Sequence, residues 1–589
     1  MEEISEYGKG AFTGVFHDNN DGMYIMPDNM NIPIELDSYN LIGAKDGDKV
    51  YAELVHRGER HFDHTAEIIK VFGDADIAAV CANALLAENN ISLHFPEKVK
   101  EEAKEIATRK ITPEDLVGRS DFRDKTIFTI DSAHAKDLDD AVSLSKDKNG
   151  YLLGVHIADV SHYIRPQSAI EKEAFERGTS IYYANKVIPM LPAELSNGVC
   201  SLNPNEDKLT FSALIRLNEN GEIVKFDFQK SVIKSKVKGV YSEINSILDE
   251  SADDEIIEKY SELIPTIKLM NQLADILSQA RIRRGAFELE TNESQLIIGK
   301  DKKCSDVIVR ERGVSERIIE EFMLVANQAA ATFSVAKDIP FLHRIHEKPS
   351  ATKIAEMSDT LKLLGLTTKS IEGDITQKEV GRLLRRVKDT PLAPIINHRV
   401  LRMMSKAKYS HNPIGHYGLV LKHYSHFTSP IRRYPDLCIH QIMSDVLSKG
   451  TSAAKKYQKF VIKAGIQSSD REVIAVGIER DCEDLYKAEY MQQFVGRDFD
   501  GVIVGISPHG IFVELQNTVQ GRVAIEDLPK GDYKVEGNIR YKNTTTNKTY
   551  TVGDPVKIKV TKAYVPTGTI DFIFADDEEK EQTIGEKSK

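Results

Sequence analysis

The first 72 residues set apolar against polar positions in short runs: "GVFHD", "GMYIM", "IPIEL", "KVYAELV" and "TAEIIKVF". Alternation over a few residues predicts half-buried strands. "NNDG", "PDN" and "GAKDGD" separate them, and their Gly, Asn and Asp suit tight turns. Five such strands predict a small barrel of the OB type over residues 1–73. The period then changes. "DIAAVCANALLAEN" and "PEKVKEEAKEIATRK" predict helices, a connector over 74–118. From 119, strand-like runs ("LLGVHIADV", "LTFSALIRL") alternate with helix-like ones ("QSAIEKEAFERG"). Residues 230–290, "SERIIEEFMLVANQAAATFSVAK" and "IAEMSDTLKLLGL" are helical in pattern. We read 119–492 as one mixed α/β domain with a helix-rich second half. Strand patterning returns over 493–575, in "DFDGVIVGISPHGIFVEL" and "YTVGDPVKIKVTKAYVPTGTIDFIF", and predicts a second OB-type barrel. The polar end, 576–589, is expected to be disordered. The fold class is thus α/β multidomain, a central mixed α/β domain flanked by two β-barrels.

Composition narrows the setting. At 589 residues the chain is too long for one core, and 41% hydrophobic with 29% charged residues is ordinary for a globular protein. The start, "MEEISEYGKGAF", lacks the basic and apolar regions of a secretory leader, and no apolar run approaches a membrane span. Five scattered cysteines form no CxxC pair, which argues against zinc or a disulfide framework and for a cytoplasmic setting.

The net charge of −12 speaks against a nucleic-acid partner only until its distribution is read. Between Arg382 and Arg433 stand eleven Lys or Arg and one acid, Asp389, with five histidines among them. An acidic body with one basic segment suits a polyanion bound at a defined place; a solvated helix face is the blander alternative.

The chemistry concentrates in "DSAHAKDLDDAV", residues 131–142. Asp131, Asp137, Asp139 and Asp140 lie within ten positions between the apolar runs "TIFTI" and "AVSL". On a strand Asp137 and Asp139 would share a face; in a loop the carboxylates could converge. Convergent buried carboxylates need a cation or must protonate. All-oxygen ligands suit Mg²⁺ or Mn²⁺ rather than zinc, and a pair of such ions, about 3.5–4 Å apart, serves phosphodiester chemistry. An exposed acidic turn is the competing reading. A calcium loop fails on register, because Ala133, Ala135 and Val142 occupy ligand positions.

"TIDSAHAKDLDDAVSL" resembles the catalytic signature of the RNase II/RNase R (RNB) family of exoribonucleases. "VHIADVSHYI", "VIPMLPAELSNGVCSLNP", "RIIEEFMLVANQAAA", "IPFLHRIHEKP" and "HFTSPIRRYPDLCIHQ" are similar to further blocks of that family in the same order, RNase R more than RNase II. The resemblance implies an RNB catalytic domain between a cold-shock-type and an S1-type barrel, and a monomeric enzyme degrading single-stranded RNA from its 3′ end to 5′-monophosphates. It implies Asp131 and Asp140 as principal Mg²⁺ ligands, Asp137 as a supporting one, and Asp139 as both ligand and the residue most critical to the chemical step. Arg432 matches the phosphate-clamping arginine, with Arg433 beside it; an ion pair with Asp436 or Glu479 is the competing role for both. Glu479 matches a glutamate near the 3′ nucleotide, although "EVIAVGI" stands where relatives carry arginines. Tyr182 matches a base-stacking tyrosine, and Phe287 is a candidate for a second stacking wall. On the barrels the expected RNA contacts are Tyr24 and Phe16, then Phe512 and His509. Ala524 replaces a histidine often found in S1 modules. A single amino-terminal barrel, where RNase R relatives usually have two, implies a weaker grip and stalling at duplexes. A non-catalytic RNA-binding protein and a nuclease indifferent to the sugar are the alternatives.

Overall fold

The computed structural model describes residues 10–575 except 21, 38–39, 61–62, 288–292, 367–374, 391 and 538. The expected disordered tail, 576–589, lies outside the described residues.

Strands Ala11–Asn19, Gly22–Pro27, Ile34–Leu36, Asp48–His56 and Thr65–Asp74 close the first barrel. Its third strand pairs parallel with its fifth, and the other pairings are antiparallel. Phe12, Phe16, Ile25, Val50 and Ile68 fill it. Phe16 therefore corrects the expectation that it offers its ring to a base: it is 1% exposed. Its strand is buried on both faces over Phe12–Phe16, because neighbouring Val15 packs outside the barrel with the connector helix Ala78–Glu88.

Strands Asp498–Ser507, Gly510–Leu515, Gln520–Ala524, Pro555–Tyr564 and Thr569–Phe574 close a second barrel with the same strand order. Gly510 opens its second strand at φ +144°, and a Cβ there would sit 2.3 Å from the Val523 carbonyl, so no larger residue fits. A three-stranded sheet over Tyr533–Thr551 is inserted between the third and fourth barrel strands.

Between the barrels in the chain comes a five-stranded sheet. Its order is Ser120–Asp121, Ile223–Lys234, Asp207–Leu217, Gly150–Ala158 and Asp140–Asp147. Strand Gly150–Ala158, "GYLLGVHIA", is an almost unbroken apolar run because both its faces are covered. Helix Val314–Ala336 packs on this sheet, and Phe211, Phe228, Phe322, Phe333 and Phe427 share its core. Helices Ala351–Leu363, Gln377–Val387 and Ala393–Met403 gather around a separate apolar cluster.

Helix Gln458–Met491, 34 residues long, ties these parts together. Its Glu489 accepts hydrogen bonds from the backbone N–H of Ala78 (3.0 Å) and Cys304 (2.9 Å). Lys49 of the first barrel, 2% exposed, pairs with Asp28 and donates to the Pro566 carbonyl of the second barrel at 2.9 Å. Among the described residues, no helix is long and apolar enough to cross a membrane.

Candidate active site

Residues 132–139 form a loop between strands Thr129–Asp131 and Asp140–Asp147. The chain around it fixes that loop from four sides. Lys238 Nζ donates to the carbonyls of Ala133 (2.9 Å) and Ala135 (2.7 Å). Ser201 Oγ donates to the Lys136 carbonyl at 2.7 Å and accepts from the Leu138 N–H at 3.1 Å. The Leu138 and Asp139 carbonyls accept from Leu202 and Ala158. Finally, the Ile431 N–H donates to Asp139 Oδ1 at 2.8 Å, which joins "DLDD" to "SPIRRY".

The exposed acidic turn is thereby set aside for part of the cluster. Asp139 is 4% exposed, and Asp131 and Asp140 are half-buried. Asp131 Oδ2 and Asp139 Oδ2 are buried and accept no hydrogen bond. Burial, then the charge of Asp140, pushes the Asp131 carboxyl up to about 8. Burial raises Asp140 to about 6 against the pull of Arg432 and Arg433. It also lifts Asp139 well above the ordinary range, with Arg432 and the Ile431 N–H opposing. Asp140 acts on both Asp131 and Asp139, and the orphaned oxygens of those two fit a hard divalent cation. The side chains are gathered but not clamped: among the described residues no group of three His, Cys, Asp or Glu already has the geometry of an ion's ligand shell.

The other candidates converge on this loop. The Tyr182 hydroxyl donates to Asp137 Oδ2 at 3.1 Å, and its backbone N–H donates to Glu479 Oε1 at 2.8 Å. Burial raises the Glu479 carboxyl. Strand alternation separates Tyr182 from Tyr183, which is 6% exposed and packs in the core shared with the second barrel.

Arg432 and Arg433 also part company. Arg433 Nη2 bonds the fully buried Asp436 at 2.8 Å, so the ion-pair alternative describes Arg433. Arg432 is exposed and its guanidinium has no hydrogen bond or ion pair among the described residues, yet its charge acts on Asp139, Asp140 and Glu479. Its carbonyl accepts from the Ser180 N–H (2.9 Å) and Thr179 Oγ1 (3.1 Å). That docking needs Gly178, at φ +68°, where a Cβ would meet Arg471 at 2.6 Å.

Phe287 lies elsewhere in the packing, half-buried against the apolar cluster of the three helices. Tyr24 is half-buried with its ring 5.1 Å from His17. Phe512 is 37% exposed on the second barrel, and His509 is exposed in the turn before it. The basic segment does not form one face. Arg399 is 8% exposed and Arg433 is internally paired, whereas Arg382, Arg385 and Arg386 face solvent on one helix.

Two residues of the site are not legible in the sequence. Strand Lys238–Val240 pairs in parallel with Thr129–Asp131, which delivers Lys238 to the loop and Tyr241 to within electrostatic reach of Asp140, Asp131 and Arg432. Nothing in "KVKGVYSEI" announces that pairing.

Residues 119–449 match the RNB domain, more than half of the chain. The chain belongs to the RNB family of exoribonucleases. Around the RNB domain, residues 24–96 match a cold shock domain and 492–572 an S1 RNA binding domain. The RNB chain is 38% identical over 536 residues to ribonuclease R 1 of Lactococcus lactis, covering 90% of this chain and 65% of the relative. It is 36% identical over 588 residues to ribonuclease R of Thermotoga maritima, covering 98% and 82%. Mycoplasma genitalium RNase R, solved with ribose-methylated single-stranded RNA, superposes with a TM-score of 0.87 at 26% identity, over 96% of this chain and 90% of that one. Yeast Ssd1, described as a pseudonuclease, shares the fold at a TM-score of 0.64 and 17% identity, over 91% of this chain and 67% of that one. The RNB fold alone therefore does not discriminate a nuclease from a non-catalytic relative.

Proposed function

We propose that this RNB chain hydrolyses RNA from the 3′ end with Mg²⁺ or Mn²⁺, releasing nucleoside 5′-monophosphates. The observation that carries this reading is the pair of buried, unpartnered carboxylate oxygens on Asp131 and Asp139 beside the free guanidinium of Arg432. Asp131, Asp137, Asp139 and Asp140 would hold the ion, which when bound supplies Lewis-acid polarisation of the phosphodiester and a more acidic water.

The rest of the chemistry belongs to the chain. Asp139 is fixed through one oxygen by the Ile431 N–H and leaves the other free toward the reacting centre. Arg432 meets the charge that develops on the phosphate, a task for which a forked, permanently charged donor is suited. Tyr182 offers its ring to the terminal base, a contact every base can make, while Glu479 and Asp137 hold its backbone and hydroxyl. A recessed site reading only ring faces and backbone accepts a chain end in any sequence.

The test is a 5′-labelled single-stranded RNA and the same sequence in DNA, incubated with Mg²⁺ and either this protein or Asp139→Asn. A shrinking RNA ladder, lost in the variant and in chelator, is expected. Intact RNA with the unaltered protein would instead support a non-catalytic RNA-binding role, and equal degradation of DNA would remove the sugar preference.

A further inference from the structure

A polar cavity lies outside the aspartate site. It occupies about 200 Å³ between helices Ala351–Leu363 and Ala393–Met403, and Lys353, Glu356, Arg399 and Arg402 supply its polar lining. Arg399 is 8% exposed. Its Nε donates to Thr360 Oγ1 at 3.0 Å, and among the described residues no carboxylate lies within ion-pair distance of it or of Arg402. Burial pulls the Arg399 guanidinium down, with Glu356 opposing and Arg402 adding to it. Lys353 Nζ spends one of its three donors on the Met404 carbonyl at 2.9 Å.

Arg399, a largely buried residue, uses one of its five donors within the described residues and leaves the others open to the recess. Among the described residues three cations face one acid here, an excess of two positive charges in a recess smaller than the roughly 300–1,000 Å³ of organic-ligand pockets. Two arginines lining so small a space suit a tetrahedral oxyanion, which guanidinium binds in bidentate fashion.

We propose that this pocket is a phosphoryl-binding site separate from the catalytic centre. The phosphoryl group can come from a polynucleotide backbone or from a free nucleotide. The exposed arginines of the neighbouring helix Gln377–Val387 favour the backbone, since they extend positive charge beyond the pocket.

The experiment uses the full chain in chelator, so that no RNA is consumed, and titrates inorganic phosphate, a nucleoside 5′-monophosphate and a single-stranded RNA oligomer. Arg402→Gln should weaken phosphate binding about tenfold, the size of one charge-assisted hydrogen bond. Glu356→Gln should strengthen it, because it removes the opposing charge from the lining. Both residues are exposed, so both variants are expected to fold. The difference between the unaltered protein and Arg402→Gln isolates this pocket from any phosphate held at Arg432. Competition between RNA and phosphate, lost in Arg402→Gln, identifies a backbone phosphate. A nucleotide that binds more tightly than phosphate through Arg402 identifies a free nucleotide. A phosphate affinity that is the same in all three proteins would overturn the proposal.

Discussion

Two of the places where the central domain buries carboxylate oxygens are treated oppositely. Asp159 is fully buried, and each oxygen is matched: Oδ1 accepts from Lys230 (2.6 Å) and Ser161 (2.8 Å), Oδ2 from Arg119 (2.8 Å). Burial alone would raise its pKa, but Lys230 and Arg119 hold it far below the usual carboxylate range. Half-buried Asp131 and buried Asp139 each keep one buried oxygen unmatched, and their carboxyls move the other way. One acid is finished by the fold; the others are completed only by something added. A buried charge is therefore informative about function when its partners are missing, and about architecture when they are present.

The contrast can be broken by substitution. The largest effect is expected from Asp139→Asn, about 10³-fold in the rate of RNA degradation with RNA binding in chelator unchanged. A loss under tenfold would remove Asp139 from the chemical step. Asp159→Ala should cost about 3–5 kcal/mol of stability, because it strands Lys230 and Arg119; denaturant midpoints at constant m-value measure it. A cost below about 1 kcal/mol would erase the distinction between the two clusters.

Metal sharpens the comparison next. Mg²⁺ at about a hundred times its dissociation constant should stabilise the protein by about 2.7 kcal/mol. Calorimetry should show that gain in Asp159→Asn as well, provided that variant folds, and should lose it in Asp131→Ala. An identical gain in Asp131→Ala would place the ion elsewhere.

The smallest expected effect concerns pH. His156 is fully buried between Ser212 (2.6 Å) and Ser143 (3.0 Å), and burial lowers it to about 3 from an ordinary value near 6.5. Its neutral form is native, so its contribution is intact above about pH 6.5 and declines as pH falls toward 3. His156→Gln should flatten the acid limb of a stability–pH curve; an unchanged slope would show that other groups set it.

Legibility in the sequence follows distance along the chain. The first barrel is readable because its strands alternate and its turns carry Gly, Asn and Asp. The four aspartates are readable because they are neighbours. Phe16 misleads because its strand is covered on both sides, and alternation then says nothing about direction. The inserted sheet at Tyr533–Thr551 escapes notice because "YKVEGNIRYKNTTTNKTYT" is too polar to show a period. Arg432 and Arg433 are indistinguishable as letters; only the placement of Asp436 separates them. Tyr241 and Lys238 are invisible because a parallel pairing across roughly a hundred residues brings them to Asp131, and such pairings leave no local signature.

The bond from Lys49 to the Pro566 carbonyl has a consequence for the chain's birth. Its two ends are 517 residues apart, so a ribosome adding about 5–20 residues per second needs roughly half a minute to two minutes between them. For that interval the nascent first barrel holds an ammonium whose final acceptor has not been translated, with Asp28 as its companion. The second barrel thus completes a contact begun in the first, and a product terminated before residue 566 would lack the acceptor that Lys49 uses in the finished molecule.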